Sequence, residues 1–223
     1  MAELMLRLFE DELPVGGDPV FLPAVARACY VAAGDLLIEH PSGAARHEQG
    51  SAWLGSEPIA CLPGASGARV LRWELVAAEL AHSGLLHAAP RAGSAVKLTA
   101  GIELDPGFGW LMRCDEVAFP KGGVAYTHVH QGPGIRVCLE GRMRIETGGE
   151  ASEYGPGEAW FESGAAPVLA PTSEREATRF VRCFILPRGC KGRSSIRYVL
   201  PEDAAKPKPQ RYKLLGERFV DLG

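Results

Sequence analysis

Two histidines stand one residue apart, His128 and His130, inside the stretch GGVAYTHVHQGPGIRVCLEG that covers residues 122–141. Val124, Tyr126, His128 and His130 alternate with Ala125, Thr127 and Val129, and this period-two pattern predicts a strand with both imidazoles on one face. A His-x-His pair on a strand is a short-range chelate. Both rings can reach one divalent ion at about 2.0–2.2 Å from each nitrogen while Val129 turns away. Tyr126 has the same parity, so its hydroxyl is a candidate for substrate binding, the alternative being ordinary core packing. Two imidazoles alone hold an ion weakly, so a third protein ligand is required of the rest of the chain.

The elements that must position these rings belong to a chain of 223 residues, long enough for one large or two small domains, with 46% hydrophobic residues to build a core. A formal net charge of −3 with dispersed Lys and Arg supplies no footprint for nucleic acid. The partner is therefore expected to be a small molecule. Six cysteines, at 29, 61, 114, 138, 183 and 190, include no C-x-x-C pair and read as reduced, buried thiols. Charged residues interrupt the first seventeen positions, leaving neither a secretory apolar run nor a membrane span, and the cytoplasm is the expected address.

Residues 1–20 read as a short amphipathic start with a turn of helix, ending at a Pro14 to Pro19 turn cluster. The alanine-rich run before Gly34 could pass for helix on propensity, but an internal repeat argues for strand. With Gly34 placed on Gly141, an offset of 107 positions also brings Gly50 onto Gly157 and Trp53 onto Trp160. Three further residues of loop then place 69–75 (RVLRWEL) over 179–185 (RFVRCFI). The expected organisation is a first β-unit over 1–75, a connector with a short helix over 76–94, a second β-unit over 95–186 and an extended tail over 187–223. Prolines 201, 207 and 209 bar a long helix from the tail, whose apolar side chains must wrap on the units or on a neighbouring subunit.

Gly122, His128, His130 and Gly141 match the spacing of a motif, G-x5-H-x-H-x3,4-E-x6-G, and the segment resembles the first motif of the cupin superfamily. The resemblance implies an all-β fold of two double-stranded β-helix barrels in tandem, a bicupin of jelly-roll type. In that family two histidines and a glutamate of this motif bind metal. Here the glutamate position falls on Gly134 or Ile135. Against the second motif, G-x5-P-x-G-x2-H-x3-N, Gly164 is kept, Glu162 stands at the proline and Pro167 at the histidine.

The metal set is thus expected to be His128, His130 and Glu162, with Gln131 the weaker candidate for third ligand. The ion is Fe(II), Mn, Ni or Zn without distinction. The repeat places Phe21 and Pro23 at the histidine positions of the first unit, so the metal belongs to the second. His40, His47, His82 and His87 read as surface or structural residues. In the family's register Arg136 and Cys138 face the cavity, where a guanidinium needs an anion. Arg136 is either a clamp for a substrate carboxylate or half of an internal ion pair with Glu162. The resemblance implies a metalloenzyme, dioxygenase-like or an isomerase or lyase, and the clamp reading of Arg136 makes a small carboxylate-bearing molecule its expected substrate. A non-catalytic binding or sensing protein is the alternative, a plugged structural scaffold a third. Pairing of the barrels within one chain and a homodimer are both compatible with this reading.

Overall fold

The computed structural model describes residues 1–80, 89 and 91–222, so His82 and His87 lie outside the described residues. The chain divides into two compact units, one formed by Met1–Gly107 with the chain end from Val220, the other by Phe108–Phe219. No helix among the described residues is long and apolar enough to cross a membrane.

The first unit holds β1 (Ala2–Leu13), β2 (Val20–Leu22), β3 (Ala26–His40), β4 (Gly43–Glu48), β5 (Ala52–Gly55), β6 (Ile59–Ala77) and β7 (Gly93–Leu104). They form one sheet in the order β4-β3-β6-β1-β7, with β2 paired to β6 and β5 to β3. The helical turn expected at the start of the chain is instead β1, a central strand between β6 and β7. Residues 6–9 are all buried, so both faces are covered and the alternation that would mark a strand is lost. The expected connector helix is reduced among the described residues to a 3-10 turn, Ala78–Leu80. β7, read from sequence as the opening of the second unit, pairs along its length with β1.

Leu36, Ile38, Trp53, Ile59 and Val70 lead a core that fills this unit. The space left among Asp11, Cys29, Cys61 and Arg72 is only about 10 Å³. Beside it lies a buried charge network. Glu74 receives Arg7 at 2.8 Å, Arg27 at 2.7 Å and Arg72 at 2.7 Å, and Arg72 also meets Asp11 at 2.6 Å.

The second unit holds β8 (Trp110–Phe119), β9 (Val124–His130), β10 (Gly134–Glu140), β11 (Met143–Thr147), β12 (Glu150–Tyr154), β13 (Ala159–Glu162), β14 (Val168–Pro171), β15 (Thr178–Pro187), β16 (Ile196–Tyr198), the one-turn helix α1 (Pro201–Ala205) and β17 (Arg211–Val220). Two five-stranded sheets result, β13-β10-β15-β8-β17 and β12-β11-β14-β9-β16. The segment read as an extended tail supplies an edge strand to each: β16 beside β9 and β17 beside β8. Its backbone is thereby paired within the same unit, while Val199, Leu200, Tyr212, Leu214 and Phe219 stay largely exposed, so the burial expected of its apolar side chains is not found.

The repeat seen in the sequence is a repeat of hydrogen-bond register. Cys29 pairs with Trp53 on one side and Arg72 on the other. Arg136 pairs with Trp160 and Arg182 in the same way. Gly50 N–H donates to the Val31 carbonyl at 2.9 Å, and Gly157 N–H to the Cys138 carbonyl at 2.8 Å. Gly34 and Gly141 have φ of 73° and 71°, and each packs its α-carbon on a backbone carbonyl, that of Gly67 and that of Ala177, where a Cβ has no room. Gly148 has φ of 59°, with nothing within 4 Å of the place a Cβ would take. Gly141→Ala is therefore expected to destabilise by roughly 2 kcal/mol or more, and Gly148→Ala by about 1 kcal/mol from backbone strain alone. Urea unfolding of the two variants measures the difference.

Candidate metal centre

The second unit encloses a cavity of about 410 Å³ between its two sheets. Its apolar part is lined by Val117, Phe119, Met143, Ile145 and Phe180, and its polar part by His128, His130, Glu162 and the guanidinium groups of Arg113, Arg136 and Arg182.

β9 brings in the histidines through a register shift. Val168 pairs with His128 but Ala170 with Ala125, so three residue steps on β9 face two on β14. This bulge resets the alternation. Ala125, His128 and His130 are buried, while Tyr126 leaves the face on which simple parity put it and does not line the cavity. The Tyr126 ring instead lies under the Lys206 ammonium, 4.5 Å from its centroid. Only its carbonyl serves the site, accepting from His128 Nδ1 at 2.7 Å. His130 Nδ1 meets Ser195 Oγ at 3.2 Å, and the two rings stand edge to face with centroids 4.9 Å apart. With Nδ1–H donated outward, each ring keeps its Nε2 lone pair for a metal.

Glu162 arrives from β13. It pairs across the strands with Gly134, so a carboxylate enters from the residue opposite the position where the family's first motif carries its glutamate. Trp160 Nε1 donates to Glu162 Oε1 at 2.9 Å, and Arg136 Nη2 lies 2.7 Å from Oε2. Ligand atoms of His128, His130 and Glu162 lie within 4.8 Å of one another.

Electrostatics suit this donor set. Burial lowers the His128 pKa from 6.5, and burial together with Arg182 and Arg136 holds His130 well below it. Both rings are thus neutral at pH 7, the state a cation requires. A carboxylate and two oriented imidazoles fit a divalent transition ion with coordination positions left open.

Arg136 is enclosed, 1% exposed, and the partner it meets is Glu162, with a second bond from Nη1 to the Gly134 carbonyl at 2.5 Å. Burial, and Arg182 directly opposite on β15, lower its pKa to about 10, which leaves it cationic at neutral pH. Cys138 is in the apolar core and bonds backbone carbonyls of its own turn. Gln131 accepts from the Cys190 thiol at 3.2 Å and does not line the cavity. His40 and His47 lie in the first unit, on β3 and β4.

The sequence reading missed Arg182, Arg113 and the contribution of the chain beyond residue 187. Arg182 could have been found, since it lies over Arg72 in the repeat and shares a strand face with Phe180 and Phe184. Ser195, Tyr212 and Glu217 carried no such signal. Ser195→Ala removes the outer partner of His130, and metal affinity is expected to fall roughly 10- to 100-fold. Competition with a chromogenic chelator measures it, with Ser194→Ala as the control.

Two antiparallel sheets around an inward histidine pair define the fold as that of cupin-domain proteins. No family model matches this chain, and no curated protein does. Solved structures do: a variant of oxalate decarboxylase from Bacillus subtilis is similar over 93% of this chain and 81% of its own, at a TM-score of 0.62 and 13% identity. AerE from Microcystis aeruginosa is similar over 80% and 87%, at 0.57 and 11% identity. A cupin 2 conserved barrel domain protein from Leptotrichia buccalis is similar over 83% and 85%, at 0.50 and 13% identity.

Proposed function

We propose that this chain is a bicupin metalloenzyme whose second unit holds a divalent ion on His128, His130 and Glu162 and acts on a small carboxylate-bearing molecule, in a reaction of dioxygenase, isomerase or lyase type. The observation that carries it is the convergence of a ring nitrogen from each of two histidines and one carboxylate in a cavity with a cationic wall. The first unit, with the same register, a filled interior and no histidine pair at these positions, is its structural partner barrel.

When bound, the ion supplies a Lewis acid or redox centre. The chain's own residues do the rest. Tyr126 and Ser195 fix the tautomers, Arg136 and Trp160 hold the Glu162 carboxylate, and the apolar lining excludes water from the reacting end of a substrate. Arg136 and Arg182 together make the wall toward which a carboxylate is drawn.

The double engagement of Glu162, by Arg136 and by Trp160, favours a second reading, a binding protein that uses the cavity without turnover. Metal analysis of freshly purified protein separates them: the enzyme is expected to contain about one ion per chain. A metal-free preparation that also takes up no Fe(II), Mn, Ni or Zn on titration overturns the metalloenzyme reading.

A further inference from the structure

The repeat provides an internal control for the cavity's arginines. Arg72 and Arg182 occupy equivalent places, on β6 and β15, but their surroundings differ in one respect. In the first unit Arg72 donates from Nε and Nη2 to Asp11 and from Nη1 to Glu74, so internal carboxylates surround its guanidinium. By strand register the position of Glu74 is taken in the second unit by Phe184, and that of Asp11 by Val117. Arg182 keeps one internal carboxylate: its Nε donates to Asp115 Oδ1 at 2.6 Å. Among the described residues no acceptor is bonded to its Nη1 or Nη2, and its side chain, 12% exposed, lines the cavity.

We infer that Arg182 is the residue that binds the carboxylate of the ligand, presenting the two amino nitrogens that the second unit leaves without an internal partner. This rests on the proposed small-carboxylate function and names its recognition residue. The aromatic rings of Phe184 and Phe180 lie 4.5 and 5.7 Å from the guanidinium carbon and fix its plane. Beyond them Met143, Ile145 and Phe119 line the same cavity, so the ligand carries its carboxylate on an apolar body and not on a second charged group. Arg136 is distinguished from Arg182 by its contacts: its amino nitrogens meet Glu162 and the Gly134 carbonyl. Its role is to position Glu162. Arg182 lines the same cavity as both histidines, which places the bound carboxylate on the side of the candidate metal.

Benzoate, with benzamide as its neutral counterpart, tests the inference by calorimetric titration of the full chain, both chelator-treated and metal-loaded. Wild type is expected to prefer benzoate. Arg182→Lys keeps a cation for Asp115 but loses the planar pair of donors, and benzoate affinity should fall about tenfold or more. The double variant Arg182→Met with Asp115→Asn leaves no unpaired carboxylate and should lose the preference for benzoate altogether. Retained benzoate preference in both variants, or its absence in the wild type, overturns the inference. An Arg182-dependent preference in protein that takes up no metal upholds it while removing the metalloenzyme reading. A protein that loads metal but shows no dependence on Arg182 does the reverse.

Discussion

Replacing His128 and His130 together by alanine is expected to abolish bound metal, whereas replacing His40 and His47 together leaves it unchanged. Neither imidazole of the first pair is placed for packing alone. Each has its Nδ1 committed to an oxygen outside the cavity, at 2.7 Å for His128 and 3.2 Å for His130, and each is neutral because burial disfavours the cation. Removing both leaves Glu162 between Trp160 and Arg136, one carboxylate already held at both oxygens. That cannot retain a divalent ion against water, so loss should be complete, well beyond the roughly 10- to 100-fold expected from an outer-partner change. Elemental analysis after gel filtration reads the result. Loss of metal on changing His40 and His47 instead would place the site in the other unit. His40 argues against that, because its Nδ1 contacts Ser42 Oγ at 2.9 Å and its ring packs beside Trp53.

The second large effect belongs to stability and to the first unit. Glu74→Gln removes the carboxylate shared by Arg7, Arg27 and Arg72, side chains no more than 2% exposed, and among the described residues leaves Asp11, on Arg72, as the remaining carboxylate of the network. Breaking one member of a buried network in this way costs about 3–5 kcal/mol. Glu146→Gln, in the exposed pair with Arg144, should cost less than about 1 kcal/mol. Burial pushes the Glu74 carboxyl up, but Arg72 and Arg27 outweigh it and hold the pKa below 4.5. A depressed folded-state pKa means the stabilisation is present above the unfolded value, near about 4.3, and is lost as pH falls through the folded one. The wild type should lose stability on acidification below about pH 4, with Glu74→Gln less sensitive there. Equal urea midpoints for wild type and Glu74→Gln at pH 7 would show the network to be energetically idle.

How much of this was readable beforehand varies with the physics involved. Glycines at positive φ, tryptophan pairs and strand spacing repeat at a fixed interval because they answer to backbone geometry, and they carried the register of both units into the sequence. Period-two reasoning located the histidines but misplaced Tyr126, since a bulge adds a residue that parity counting cannot see. β1 hid because a strand covered on both faces has no polar alternation. Glu162 was found through a vacancy in a family motif; its pairing opposite Gly134 supplies the reason a carboxylate is available there. Arg136 carried two readings from the sequence, and the contact the structure gives it is the internal one, with Glu162. The part of the cavity wall that comes from 188–219 was illegible, because edge strands that close a barrel have no period of their own and are recognised only by what they pair with.

That closing segment has a consequence for the order in which the protein assembles. β17 pairs with β8, and β16 with β9, so the contacts that complete each sheet join parts of the chain separated by most of the unit's length. Such closures are slow because the chain must lose the freedom of a long loop before any contact rewards it. Ser195 is therefore expected to reach His130 only after the earlier strands are in place. A folding chain has both histidines on β9 before it has the hydroxyl that orients one of them, and loading of the ion should trail formation of the sheets, visible as a lag between the recovery of β-sheet circular dichroism and the uptake of metal during refolding.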